Sequence, residues 1–202
     1  MVARVLDTYL EERLIAERKA LSIDKFDEVW DGVYVMSPLA NDEHQRIATF
    51  ISSVLFQVIQ TPRLGQVRQG INLTDQPEDW THNYRIPDVV VFLKGGNGVC
   101  QDTFWTGAPD FLAEVVSPGE EPEDKFEFYG RLGTRELLLV HRDPWRLELY
   151  GPEANTMKLL QTANVNESRI NSSVLELTFS LSGDAEDPEF KILHADGRSW
   201  TL

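Results

Sequence analysis

Two carboxylates fall where a charge is expensive to keep. Asp88 follows Pro87 at the head of the apolar run Val89-Val90-Val91-Phe92, and Glu114 lies inside a second apolar run, residues 111–116. Burying an ionised carboxylate in such a strand is unfavourable unless it is paired or bound to a cation. If the two strands are neighbours, both side chains converge on one hard divalent ion, which prefers a few carboxylate oxygens plus water. Such an ion polarises a phosphodiester and lowers the pKa of a bound water, the two effects that hydrolysis of that bond needs. Lys125 supplies a third element. It lies on the helix expected after the Glu114 strand, where the turn at residues 117–122 folds it back toward developing negative charge. Tyr129, four residues on, shares its helical face. Glu28, beside a tight turn, is a further carboxylate for the same centre, and His44 is placed to meet a phosphate or relay a proton.

Each residue also has a plainer reading. Pro-Asp before a strand is common, and Glu114 could face water on an edge strand. Lys125 sits among Glu120, Glu121, Glu123, Asp124 and Glu127, and a charge run is usually a solvated helix face. Tyr129 fits a core position, and His44 fits a helix surface. The combination, not any one spacing, points to chemistry.

These residues need elements to carry them. Val5, Leu6, Tyr9, Leu10, Leu14 and Ile15 recur at helical spacing and predict a first helix. Asp31-Gly32 between two short runs of β-formers predicts a two-residue hairpin. Asn41 is a good N-cap for a helix reaching about Ile59, with Ile47, Phe50, Ile51, Val54, Leu55 and Val58 as its buried stripe. Residues 64–73 read as one strand, 75–83 as a loop, 84–93 as a strand covered on both faces, and 110–116 as another central strand. A helix over 123–132 stops at Gly133, and strands over 136–140 and 145–150 flank Asp143-Pro144. The remainder reads as hairpins, one turning at Asp196-Gly197. The expected architecture is a single domain, 1–202, of the α/β (α+β) class: a mixed sheet flanked by helices, with additional antiparallel hairpins at the carboxyl end.

The whole chain sets limits. Its 202 residues can bury a continuous core, and a 42% hydrophobic fraction is ordinary for a folded protein. No apolar run approaches the ~18 residues that span a bilayer. The first residues lack the order of a secretory signal, and Cys100 cannot form an internal disulfide, so the expected location is the cytoplasm with no membrane partner. The net charge of −14 argues against an extended basic footprint for nucleic acid. Gly95-Gly96-Asn97-Gly98 lacks the lysine and spacing of a phosphate-binding P-loop.

Three segments carry a family resemblance: FDEVWDGVYVMSP with His44 after it, IPDVVVF, and GAPDFLAEVVSPGEEPEDKFEFYGRLGTRELLLV. Through them the chain resembles the PD-(D/E)xK nuclease superfamily and, within it, the Uma-two family of small bacterial proteins described as endonucleases. The resemblance implies a restriction-endonuclease-like fold, with Asp88 and Glu114 as ligands of Mg2+ or Mn2+ and Glu28 as an accessory acid. It implies that Lys125 is the superfamily's lysine displaced onto the helix, because Val116 stands at the usual position. The implied activity is metal-dependent endonucleolytic hydrolysis of DNA phosphodiester bonds. A homodimer is expected from the two-fold symmetry of a duplex substrate, with Trp80, Trp105 or Trp145 as candidate contacts. Two other functions fit the same residues. One is a catalytically inactive interaction module with the nuclease fold, suggested by Val116 and the acidic charge; the other is a metal-dependent hydrolase of a smaller phosphate ester.

Overall fold

The computed structural model describes residues 3–5 and 8–202. At its centre lies a six-stranded sheet in the order Thr156–Asn164, Trp145–Glu153, Glu136–Arg142, Phe111–Val115, Val89–Leu93, Gly65–Gln69. Phe111–Val115 and Glu136–Arg142 run parallel, and every other neighbouring pair is antiparallel. A parallel join requires a crossover. Here it is the segment that folds as a short 3-10 turn, Pro122–Lys125, and then a helix, Phe126–Leu132. Gly133 ends that helix at φ 81°, a left-handed cap that glycine adopts without a Cβ clash.

Alternation along Phe111–Val115 divides the core into two layers. Phe111, Ala113 and Val115 face Ile47, Ile51 and Leu55 of the Asp42–Leu55 helix, together with Phe179 and Phe190 of a four-stranded carboxyl-terminal sheet. Leu112 faces the other way, with Leu137, Leu139, Phe128 and Tyr129. Each large side chain so buried contributes roughly 1.5–3 kcal/mol. The architecture is thus a mixed sheet with helices on it and extra antiparallel strands at the carboxyl end. Among the described residues, no helix is long and apolar enough to cross a membrane.

The remaining strands form a seven-stranded sheet that includes the Glu28–Trp30 and Val33–Met36 hairpin. Its turn has Asp31 at φ 48° and Gly32 at φ 84°, as a two-residue hairpin with right-handed strand twist requires. The Asp42–Leu55 helix starts at the expected cap, Asn41 Oδ1 accepting from the His44 N–H, and its last turn widens into a π-helix over Phe56–Gln60.

Several expected boundaries move. The first helix spans Thr8–Ala20, and Val5 lies in a strand, Ala3–Val5, paired with Val33–Met36; Leu6 lies outside the described residues. Tyr9 and Leu10 are exposed, and Leu14 and Ile15 only half-buried, so the helix lacks the buried stripe its spacing suggested. It is tied down by charge instead: Arg18 Nε and Nη2 donate to Asp27 at 2.6 Å each. The run 64–73 breaks at Gly70, φ 55°, into Gly65–Gln69 in the central sheet and Asn72–Thr74 in the other. The run 84–93 breaks in the same way at residues 86–88, because Pro87 has no N–H for a ladder. Both breaks occur where the chain passes from one sheet to the other. Of the three tryptophans considered for a dimer contact, Trp105 and Trp145 are buried, and Trp80 is only half-buried against Phe104.

Candidate active site

The second break places Asp88. The register Phe111↔Val91, Leu112↔Val90, Ala113↔Val89, carried one residue further, sets Asp88 across from Glu114. The ladder stops there, and the Asp88 carboxylate takes over its hydrogen bonding: Oδ2 accepts the Val115 N–H at 2.8 Å. Oδ1 accepts from His44 Nε2 at 2.9 Å. His44 comes from the first turn of the Asp42–Leu55 helix, and its Nδ1 faces Ser117 Oγ at 3.5 Å.

Glu114 projects from the strand toward the crossover. Lys125 Nζ donates to both of its oxygens at 3.2 Å, and the Tyr129 hydroxyl donates to Oε1. Lys125 also lies 3.2 Å from Glu28 Oε1 and 3.8 Å from Glu120 Oε1. The solvated-face reading of Lys125 does not hold: the side chain is buried. The four-residue spacing does put Tyr129 beside it on Glu114.

The electrostatics follow from one buried ammonium among several carboxylates. Burial pushes the Glu114 carboxyl above its ordinary value; Lys125 pulls it down, while Asp88, Glu120 and Glu28 push it up. Burial alone would lower the Lys125 ammonium, but Glu114, Glu28, Tyr129 and Glu120 hold it well above its usual range. The Tyr129 hydroxyl is raised by burial first and by Glu114 next, so it stays a donor.

Glu28 lines the same cleft. Its Oε1 accepts the Ile86 N–H at 2.7 Å as well as facing Lys125, and its Oε2 accepts the Trp30 indole N–H at 2.6 Å. Through Oε1 it holds Lys125 in place, and Oε2, with one hydrogen bond, keeps a lone pair. Glu120 was not singled out by sequence, because nothing distinguishes it within the acidic run. It joins the cleft because its own turn folds back, Oε2 accepting the Ser117 N–H at 3.1 Å. Ser117 was equally invisible as a neighbour of His44.

Glu28, His44, Asp88, Glu114, Ser117, Glu120 and Lys125 line one cleft with about 60 Å3 of room for water. Among the described residues, no group of three or more His, Cys, Asp or Glu is arranged to hold a metal ion. The donor set still fits a hydrated hard cation. Each Asp88 oxygen and Glu114 Oε2 accepts a single hydrogen bond, which leaves lone pairs, and Mg2+ commonly takes one or two carboxylates and keeps its waters. The excess of buried negative charge around one lysine is what such a cation would offset.

A mixed sheet with one parallel join, and a carboxylate–lysine cleft at the ends of its central strands, define a restriction-endonuclease-like protein. The chain belongs to the Uma2 family, described as "Putative restriction endonuclease", whose model matches residues 21–183. The match includes Glu28, His44, Asp88, Glu114, Lys125 and Tyr129, and ends before the last two strands, Pro188–His194 and Ser199–Thr201. Families of this kind generally use divalent metal ions. The fold is similar to a crystal structure described as a putative nuclease belonging to DUF820 from Anabaena variabilis. That likeness has a TM-score of 0.58 at 17% identity and covers 72% of this chain and 80% of the other. No curated protein matches the chain.

Proposed function

We propose that the chain is a metal-dependent endonuclease acting on DNA phosphodiester bonds, with Asp88 and Glu114 holding a Mg2+ or Mn2+ ion. The observation that carries this is the convergence of two carboxylates from adjacent strands on one cleft, with the Lys125 ammonium 3.2 Å from Glu114. An ion held there would polarise a phosphoryl oxygen and make a bound water acidic. Lys125, fixed between Glu114 and Glu28, keeps its proton and presents positive charge to the phosphate as negative charge develops. His44 is held by Asp88 through Nε2 and turns Nδ1 toward Ser117 Oγ at the mouth of the cleft. Tyr129 orients Glu114 through its hydroxyl. A single folded unit and a two-fold dimer are part of this reading, the latter checked by light scattering in solution.

Mg2+ or Mn2+ should raise the melting temperature of the intact protein, and Asp88→Ala should abolish that rise. Plasmid nicking with Mn2+ should be lost in Glu114→Gln. Melting indifferent to divalent ions, with no nicking by the intact chain, would overturn the proposal. One observation favours a second reading, that of a non-catalytic interaction module: three carboxylates already surround Lys125 in a chain of net charge −14. Nicking that depends on Glu114 excludes it.

A further inference from the structure

A second cavity, of about 460 Å3, lies beside the helix that carries Tyr129 and shares no lining residue with the candidate active-site cleft. Arg4, Trp30, Arg85, Phe128 and Arg131 line it. Arg85 is the anomaly. It is only 3% exposed, and its guanidinium is sandwiched between the Trp30 ring at 4.6 Å and the Phe128 ring at 4.4 Å. Nη1 donates to Val29 O, Asn83 Oδ1 and Tyr84 O. Nε is buried with no partner, and among the described residues Nη2 makes no hydrogen bond and no carboxylate comes within 4 Å of the guanidinium.

Buried charges are ordinarily paired, because an uncompensated one loses its hydration for nothing. Two aromatic faces offset part of that loss. They leave Nε and Nη2 without a partner; Nε is shielded, so Nη2 is the N–H that an oxyanion in the cavity reaches, by a charge-assisted hydrogen bond. Arg4 and Arg131 stand at the rim with exposed guanidinium groups, now paired with Asp124 and Asp75. Three guanidinium groups outnumber the two oxygens of a carboxylate, whereas a phosphate monoester offers three terminal oxygens, one for each. Four acids also line the cavity, Asp31, Glu123, Asp124 and Glu127, but all are exposed, where salt and water screen them, while Arg85 acts from a desolvated position.

We propose that this cavity is a phosphate-binding site, in which Arg85 takes a phosphate monoester through Nη2 and Arg4 and Arg131 close over it. The site is independent of whether the chain cuts DNA. It does touch the same network, since the Trp30 indole that stacks on Arg85 also holds Glu28, and Glu28 holds Lys125.

The test titrates the full chain with inorganic phosphate without divalent ions, reading tryptophan fluorescence and melting temperature. Saturable binding is expected, weakened about tenfold or more in Arg131→Ala and abolished in Arg85→Gln. If Arg85→Gln does not fold, Arg4→Ala joins Arg131→Ala as the deciding pair. No saturable binding by the intact chain, or unchanged affinity in the arginine variants, overturns the site. A 5′-phosphorylated oligonucleotide compared with its unphosphorylated twin then finds the source. Preference for the phosphorylated strand assigns the site to a nucleic acid end; equal affinity, with free phosphate still bound, assigns it to a small anion. Both of these outcomes support the site.

Discussion

Lys125 meets carboxylates from three separate segments: Glu28 in the hairpin, Glu114 in the central strand and Glu120 in the crossover turn. Its loss would strand Glu114 and Glu28 in the interior without a counter-charge. Lys125→Met should therefore destabilise the protein by about 3–5 kcal/mol, the range seen when one partner of a buried pair is removed. Urea unfolding at neutral pH measures this, and adding Glu114→Gln should recover part of the loss. A Lys125→Met variant as stable as the intact chain would mean that the ammonium is solvated. At this scale sequence placed Asp88, Glu114, Lys125 and Tyr129 together, because an isolated acid in an apolar strand and a four-residue helical spacing are local signals. It missed Glu120 and the true partners of Glu28, which depend on how a turn and a hairpin close over the strand.

Among the elements, the Phe126–Leu132 helix shows how packing overrides propensity. Gly130 inside a seven-residue helix looks like a weakness of about 1 kcal/mol relative to alanine. A Cβ built there would sit 2.4 Å from backbone atoms of Asn155 and Thr156, so the glycine is what lets the helix lie on the neighbouring hairpin. Gly130→Ala should destabilise by about 1–3 kcal/mol despite its better helix propensity, read as a lower melting temperature; a rise would contradict the close approach. The Trp145–Glu153 strand offers a pH test. Glu148 accepts from His141 Nε2 at 2.8 Å, Arg146 Nε at 2.9 Å and the Tyr150 hydroxyl at 3.0 Å. The bond from His141 leads in holding its carboxyl down to about 2, against the opposing effect of burial. The folded state therefore binds this proton less readily than the unfolded chain. The stability it contributes is full above the ordinary value of 4.5 and is lost as pH falls toward about 2. Glu148→Gln should flatten that part of the acid limb in a series of melting curves between these limits, and an unchanged limb would remove Glu148 from the account.

For the whole molecule, the net charge of −14 dominates. Self-repulsion of that size destabilises a compact state and is screened as the Debye length falls from about 30 Å at 0.01 M salt to about 3 Å at 1 M. Without divalent ions, the melting temperature should rise with added NaCl; a fall would mean that ion pairs such as Arg18–Asp27 outweigh the excess negative charge.

The linear chain determined what is local: the helix after Asn41 and the central strands, where Asn41 and Gly133 cap, how Asp31-Gly32 turns, and which acids sit in apolar surroundings. Those properties depend on residues a few positions apart, so spacing and propensity carry them. Only the folded molecule decided that two continuous β-like runs divide between sheets at Gly70 and Pro87, and that a lysine in an acidic run points inward. It also decided that a buried arginine faces a cavity with one edge unused. Each of these rests on backbone closure and desolvation among segments far apart in the chain, and no local pattern encodes which distant group will take the place of water.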